Sequence, residues 1–190
     1  METKEWIPWI IMAIIALSGW AVFLYNFVEA NPRIDGSILF VMTGTLNSPQ
    51  NITTFLIYPY LTNTRKGEVH IKDYQLEADF GNGFVKLLRV YSLDNAGNIS
   101  FLDREGHEII IPNFKDQLIY KKDSLAKFGI PIHGFILFGG NSSLYNLEVV
   151  RYKLIVIDAL GKEHKIIVKP ENINGAYLAS ELTGMKLPSQ

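Results

Sequence analysis

The longest hydrophobic stretch lies at the start of the chain. Residues 6–28, WIPWIIMAIIALSGWAVFLYNFV, contain no charged side chain and are bounded by Glu5 and Glu29. At about 1.5 Å rise per residue, a helix of these 23 residues matches the roughly 30 Å hydrocarbon core of a bilayer. Aromatic residues lie toward both ends, where their side chains favour the headgroup level. The pattern predicts a tail over residues 1–5 and a single transmembrane helix over residues 6–29.

A cleaved signal peptide is the alternative interpretation of this segment. Val28-Glu29-Ala30 resembles a small-x-small cleavage site, but the run is longer than the usual hydrophobic region of a signal peptide. The leader METKE is also not net basic. We therefore expect an uncleaved anchor that contacts the lipid bilayer through residues 6–28. The short tail and long C-terminal part are typical of a signal-anchor, which places the following domain on the exocytoplasmic side.

After a predicted linker, residues 30–36, short runs rich in β-branched and aromatic residues follow one another. Residues 69–80 alternate between apolar and polar positions, which predicts a half-buried strand with an acidic solvent face. Pro59 indicates a strand end, an edge or a bulge at its position. The predicted strands are 37–45, 53–61, 69–80, 84–93, 98–102, 107–111, 132–138, 150–157 and 163–168.

Three Asp-x-x-Gly tetrapeptides begin at Asp94, Asp103 and Asp158, each between predicted strands. Aspartate favours the first position of a type I turn, and glycine tolerates positive φ at the fourth. The tetrapeptides therefore predict three hairpin turns. Antiparallel turn signals among eight or nine short strands predict a mainly β protein with a β-sandwich over residues 37–170.

Two short helices are predicted beside the strands. Residues 123–128 are bounded by an aspartate cap and by Gly129, and residues 171–190 contain a short helix over 173–183 followed by a tail. The apolar run from Ile57, the turn Thr62-Asn63-Thr64 and the alternating strand to Glu77 resemble bacterial and archaeal Ig-like or fibronectin-like modules. The resemblance implies an antiparallel Ig-like sandwich, without the Cys…Trp…Cys signature of antibody domains.

Composition narrows the chemistry. The chain has no cysteine, which excludes disulfides, cysteine-ligated metals and thiolate nucleophiles. Residues 31–190 contain 17 basic and 16 acidic side chains, with no run of like charge. This balance predicts no binding to nucleic acid and no footprint for an anionic lipid surface.

Candidate metal ligands are dispersed along the chain. The histidines are His70, His107, His133 and His164, and no pair has the spacing of a helical or strand metal site. We expect His107 and His164 to be solvated at hairpin tips and His133 to be a core or edge residue. A metal site assembled from distant histidines remains an alternative. The acidic residues Asp73, Glu77 and Asp79 predict a solvated strand face, with a calcium site as the alternative.

Aromatic residues are frequent in the first half of the predicted sandwich. They favour core packing, and an aromatic surface facing a protein partner is the alternative. The residues are Phe40, Phe55, Tyr58, Tyr60, Tyr74, Phe84 and Tyr91. The sequence contains no G-x-S-x-G, no phosphate-binding glycine loop and no nucleophile with an evident base. We therefore assign no catalytic, cofactor-binding or metal residues and expect a protein that is not an enzyme.

Three functional hypotheses follow from these patterns. The first is an accessory subunit or interaction module of a membrane complex, in which other membrane proteins are the partners. The second is a structural subunit of a filament or cell envelope, since a hydrophobic helix preceded by Glu5 resembles the pilin layout, although no glycine-bounded leader precedes Glu5. The third is an exported domain that binds a metal or a ligand.

Overall fold

A single apolar helix precedes the β-strands. The computed structural model describes residues 6–46, 52–104, 106, 108–121 and 124–173. Helix α1 spans Trp6–Ala30, and none of its residues is buried. It is long and apolar enough to cross a membrane. The Ser18 hydroxyl donates to the Ile15 carbonyl at 2.8 Å, so this polar group is satisfied within the helix.

The rest of the described chain is mainly β-structure. The strands are β1 Ile34–Leu46, β2 Thr53–Asn63, β3 Val69–Asp79, β4 Phe84–Arg89, β5 Ile99–Asp103, β6 Glu108–Ile111, β7 Leu125–Ala126, β8 Pro131–His133, β9 Ile136–Gly140, β10 Arg151–Asp158 and β11 Glu163–Val168. A one-turn helix α2, Phe114–Gln117, and three 3-10 turns, Ile119–Lys121, Ser142–Leu144 and Pro170–Asn172, complete the described elements.

The strands form two layers that are joined by β4. One layer has the order β11-β10-β3-β4, and the other has the order β9-β2-β1-β5-β6. β4 pairs along β3 and also reaches β9 through Leu88 and Arg89. Every pairing between these strands is antiparallel. The predicted mainly β, antiparallel fold is confirmed.

Strand β2 is buried on both faces. Phe55, Ile57 and Leu61 join the core between the two layers. Leu56 and Tyr58 point the other way, into a second core that β5, β6 and α2 cover. A strand with two buried faces reads as a continuous apolar run rather than as an alternating one, which explains the run from residue 53 to 61. Pro59 lies opposite a register shift in β1, which agrees with the bulge among the three predicted alternatives, whereas β2 neither ends there nor lies at the edge of the sheet.

Two of the three predicted hairpins are confirmed. β5 pairs with β6 around Gly106, which has φ +84°, and β10 pairs with β11 around Gly161, which has φ +81°. The turn that begins at Asp94 is not a hairpin tip, because β4 pairs with β3 and β9, whereas β5 pairs with β1 and β6. The Asp-x-x-Gly pattern reflects only local turn preferences, and after this turn the chain crosses from one layer to the other instead of pairing with β4.

Other sequence predictions were wrong, each for a structural reason. Residues 125–126, predicted as helix, form β7 because the edge of β3 offers backbone partners at Val69 and His70. The predicted strand 132–138 is broken at Gly134, which has φ +152° and packs against Gln117 and Ile119. β1 begins at Ile34, inside the segment predicted as linker. The predicted helix at 173–183 lies outside the described residues except for Ile173.

Candidate functional site

The C-terminal end of α1 is bonded to the sandwich rather than joined to it by a free linker. Backbone carbonyls in the last turn of a helix lack intrahelical donors and need other partners. Asn31 supplies two donors: its backbone N–H reaches the Val28 carbonyl at 3.2 Å, and its side-chain amide reaches the Phe27 carbonyl at 2.9 Å. The helix is thus capped by the residue that follows it.

The loop between β2 and β3 completes this cap. The Gly67 N–H donates to the Glu29 carbonyl at 3.0 Å, and the Arg65 guanidinium donates to the Val28 carbonyl at 3.2 Å. A cation at a helix C-terminus also interacts favourably with the helix dipole. The fit is tight, because a Cβ on Gly67 would lie 1.9 Å from the Ala30 carbonyl oxygen. This loop therefore holds the helix end against the sandwich.

We call the contact between the end of α1, the β2–β3 loop and the start of β1 the helix–sandwich junction, and Asn63 is its centre. Only 1% of its surface is exposed, and all of its side-chain hydrogen-bonding groups are used. Its Oδ1 accepts from the backbone N–H groups of Arg33 and Arg65, both at 3.1 Å. Its Nδ2 donates to the carbonyls of Ala126, at 3.1 Å, and Gly67. One buried amide thus joins the start of β1, the capping loop and β7.

A buried His–Asp pair supports the same junction from the β10–β11 hairpin. The Ile34 N–H donates to His164 Nδ1 at 3.1 Å, so Nδ1 accepts and Nε2 carries the proton that is shared with Asp158, at 3.0 Å. Burial acts to raise the pKa of Asp158, but hydrogen bonds from His164 and from the N–H groups of Lys162 and Leu160 outweigh it and lower that pKa. The pair fixes the hairpin beside the first residue of β1.

Basic side chains gather beside the helix end. Lys162 Nζ donates to the Pro32 carbonyl at 3.0 Å, as Arg65 does to Val28. A polar cleft of about 360 Å³ opens here, lined by the basic residues Arg33, Arg65, Lys162 and Lys165 and by the acidic residues Asp35 and Glu163. The near-neutral overall charge did not predict this cluster, because its members come from three separate stretches of the chain.

The histidines do not converge. His70 is exposed, whereas His133 is half-buried with its ring nitrogen 2.7 Å from the Tyr58 hydroxyl, as expected for an edge histidine. His164 was predicted to be solvated, and this was wrong: it is 5% exposed. His107 lies outside the described residues. Across the part of the chain that the structure describes, no group of three or more metal-ligating side chains could hold an ion.

The acidic residues of β3 are paired with cations on neighbouring strands. The pairs are Asp73–Arg89 at 3.0 Å, Asp79–Arg151 at 2.6 Å and Glu77–Lys153. Asp79 is 4% exposed, so its predicted solvent position was wrong. The hydrogen bond from Arg151, followed by those from the Gly81 and Gly83 N–H groups, lowers the pKa of Asp79 despite some desolvation. These pairs join β3 to β4 through Arg89 and to β10 through Arg151 and Lys153.

The aromatic residues divide between core and surface. Phe55, Tyr58 and Tyr74 are buried, which confirms core packing for them, and burial raises the pKa of Tyr74. Phe40 is half-buried against the second core. The exposed rings each contact a different partner. These contacts are Tyr60 on His133, Phe84 near Lys153 and Arg151, and Tyr91 on Arg89.

Arg89 occupies a closely packed site. Its guanidinium lies between the rings of Tyr91, at 4.6 Å, and Tyr120, at 4.0 Å, while Nη1 bonds Asp73 at 3.0 Å. Burial, followed by a hydrogen bond to Asp94, raises the pKa of Tyr120. The cation is thus stabilised by two rings and one carboxylate, an arrangement that joins β4 to β3 and to the segment after α2.

The helix–sandwich junction is therefore the most elaborately bonded polar region of the described chain. It combines backbone caps, the buried Asn63 amide, the His164–Asp158 pair and the cations Arg65 and Lys162, which hold the helix end, the start of β1 and the β10–β11 hairpin together. The sequence matches no protein-family model and no curated protein. Sequence reasoning missed Asn63, Arg65 and Gly67, for which the only local signal was the turn Thr62-Asn63-Thr64.

Proposed function

We propose that this chain is a single-pass, membrane-anchored β-sandwich that serves, without enzymatic activity, as an accessory subunit or interaction module of a membrane complex. In this proposal α1 crosses the bilayer and the Ig-like sandwich lies on the exocytoplasmic side. The observation that carries the proposal is the junction itself. A domain that only needed tethering would be served by a flexible linker. Here the helix end is bonded to the β2–β3 loop, and Pro32, just beyond it, is bonded to Lys162 of the β10–β11 hairpin.

A fixed junction matters for a subunit because it limits the orientations that the domain can adopt. A tether alone raises the local concentration of the domain near membrane partners. A helix end that is hydrogen-bonded to the sandwich also restricts which face of the sandwich is presented, which lowers the rotational entropy that is lost when a partner binds. Both effects favour a binding role.

The surface of α1 offers a place for a partner helix. A shallow cleft is lined by Ile15, Ala16, Gly19, Trp20 and Phe23. A Cβ on Gly19 would meet no atom within 4 Å, so the space beside it is open. Small residues at such positions allow helix backbones to approach closely in membranes. This groove supports packing of α1 against another helix of the complex.

Co-purification tests the proposal directly. The tagged full chain is extracted from native membranes in mild detergent, and its companions are identified by mass spectrometry. We expect defined membrane proteins to co-purify, and Gly19→Leu to reduce their recovery. Ala21→Leu is the matched control, because it enlarges a small residue on the opposite face of α1. A wild-type chain recovered alone as a monomer would refute the proposal, and a sedimenting homopolymer would support the filament hypothesis instead.

The orientation of the sandwich is tested separately. The chain has no cysteine, so Leu147→Cys introduces a single thiol on the exposed surface of the domain. In intact cells a membrane-impermeant maleimide should label this thiol if the domain is exocytoplasmic. Labelling only after the cells are permeabilised would place the domain inside.

A further inference from the structure

The end of the sandwich that carries α1 also carries the basic cleft defined above and several exposed apolar side chains. From these features we propose that this end docks on the bilayer surface, where the basic cleft binds the phosphate groups of anionic phospholipids. The inference rests on the proposed membrane anchoring and adds a lipid class to it. It departs from the expectation, drawn from overall charge, that the chain has no footprint for anionic lipid.

The position of the cleft follows from the hydrogen bonds of the junction. Arg65 bonds the carbonyl of Val28, the last residue of the uncharged run, at 3.2 Å. If residues 6–28 cross the hydrocarbon core, Val28 lies at the level where that core meets the headgroups. The Arg65 guanidinium then lies among the headgroups. Lys66 is near the same level, with its Nζ 5.9 Å from the centre of the Tyr25 ring on α1.

The charges of the cleft are incompletely balanced. Arg33 lies 3.8 Å from Asp35, and Lys165 lies 3.1 Å from Glu163, so these two cations face carboxylates. Arg65 and Lys162 instead bond the neutral backbone carbonyls of Val28 and Pro32, and neither forms an ion pair within the described residues. Two positive charges therefore remain for an external anion. A guanidinium beside an ammonium is well suited to phosphate oxygens.

Apolar side chains lie on loops at the same end. Leu160, at the tip of the β10–β11 hairpin, is 81% exposed, and this hairpin holds Lys162 against Pro32. Phe128 is 56% exposed and Ile130 is 54% exposed on the segment between β7 and β8. The Gly129 N–H between them bonds the carbonyl of Asn63, the centre of the junction, at 2.9 Å.

Binding to a membrane surface uses two kinds of group, basic side chains and exposed apolar side chains, and this end of the sandwich has both. Basic side chains attract an anionic surface. Apolar side chains then enter the boundary between headgroups and acyl chains. Since the junction fixes this end of the sandwich relative to α1, docking loses little additional conformational freedom.

Insertion depth tests the proposal in the full chain. Leu160→Cys is labelled with a nitroxide, and the protein is reconstituted in nanodiscs of phosphatidylcholine alone or with an equal part of phosphatidylglycerol. Collisions with oxygen, which concentrates in lipid, are compared with collisions with a water-soluble nickel chelate. We expect the oxygen-to-nickel ratio at residue 160 to rise severalfold in the anionic discs. A nitroxide at Leu147→Cys, near the opposite end of the sandwich, should stay aqueous in both.

A paired substitution separates charge from structure. Arg65→Gln with Lys162→Gln keeps a side-chain N–H donor for each backbone carbonyl but removes both charges, and it should return the residue 160 label to its value in phosphatidylcholine. Lys86→Gln with Lys115→Gln removes the same charge elsewhere and should leave the label buried. Equal depth in both lipids, or a buried label in the Arg65/Lys162 variant, would overturn the proposal.

Two controls separate docking from membrane anchoring and from binding of a soluble anion. If the wild-type chain fails to float with liposomes, membrane anchoring itself is wrong; if it floats but the label stays aqueous, only the docking proposal fails. In phosphatidylcholine discs, inorganic phosphate replaces chloride at equal ionic strength, and the thermal midpoint is measured. A rise as large as that caused by phosphatidylglycerol would assign the cleft to a soluble anion and overturn the lipid assignment.

Discussion

Replacing Gly67 by alanine should loosen the junction between α1 and the sandwich. The Cβ would lie 1.9 Å from the Ala30 carbonyl oxygen and 2.7 Å from its carbonyl carbon. Real Cβ contacts essentially never fall below 3.0 Å, so the two backbones must separate by about 1 Å or more. The atoms in conflict are backbone, which has no rotamer to change. Gly67 does not have positive φ, so the effect is one of space alone.

The cost follows from the hydrogen bonds that this separation stretches. They are the bonds from Gly67 N–H to Glu29, from Arg65 to Val28 and from Asn63 to Gly67. At about 1 kcal/mol for each net hydrogen bond, losing two or three of them costs about 2–3 kcal/mol. If the junction unfolds together with the sandwich, the melting temperature should fall by about 2–4 °C per kcal/mol for a chain of this size.

Two readouts distinguish where this energy is lost. Nitroxides are attached at Val22→Cys and Leu147→Cys in the otherwise cysteine-free chain, and pulsed electron paramagnetic resonance measures the distance from α1 to the sandwich. Wild type should give one narrow distribution, and Gly67→Ala a broader or displaced one. Gly97→Ala is the control, because a Cβ there meets nothing within 4 Å and its φ is not positive. A Gly67→Ala chain with unchanged distances and melting temperature would refute the proposed constraint.

Further predictions concern the anchor, a turn and two carboxylates. Ile15→Arg should reduce membrane insertion at a cost of about 3 kcal/mol, and normal retention of the variant after alkaline extraction would contradict anchoring by α1. Gly106→Val should destabilise the β5–β6 hairpin by about 1–3 kcal/mol, because a β-branched residue is strained at φ +84°; an unchanged thermal midpoint would contradict that conformation. The pKa values of Asp79 and Asp158 are lowered from their ordinary value of 3.8, so their stabilising contribution is present above that pH and is lost as the pH falls below it. Asp158→Asn should therefore weaken the loss of stability between neutral pH and pH 3 in thermal melts, and an identical loss in the variant would exclude Asp158 as a contributor.

Local patterns predicted the elements whose stability is local. The apolar run of α1 and the hairpin at Gly161 depend on neighbouring residues, and both were recognised. In β3 the alternation was also correct from Tyr74 to Ala78, but Val69 and Ile71 are buried with the opposite parity. A register shift against β10 between Asp73 and Ile71 leaves Lys72 exposed. The sequence marks this shift, because the two consecutive polar residues Lys72 and Asp73 interrupt the alternation.

The junction was beyond sequence reasoning because its partners are remote. His164 follows a turn glycine and looked like a solvated tip residue, yet its Nδ1 accepts from the N–H of Ile34, 130 residues earlier. Asn63 looked like part of an ordinary turn, but its amide bonds Ala126, 63 residues later. Hydrogen bonds over such separations depend on which strands become neighbours. The helix predicted over 123–128 was wrong for the same reason: a helix of that length has little stability of its own, and Leu125 and Ala126 pair with the remote strand β3.

The bonded end of α1 has a mechanical consequence in a membrane. A hydrophobic segment slightly longer than the bilayer core adapts by tilting, and such tilts average about 20° in membrane proteins. A flexible linker would absorb that tilt, but the contacts of Gly67 and Arg65 transmit it to the sandwich. The thickness of the surrounding bilayer would then set the angle at which the sandwich leans over the surface. The orientation of the sandwich would thus respond to the lipids that surround α1.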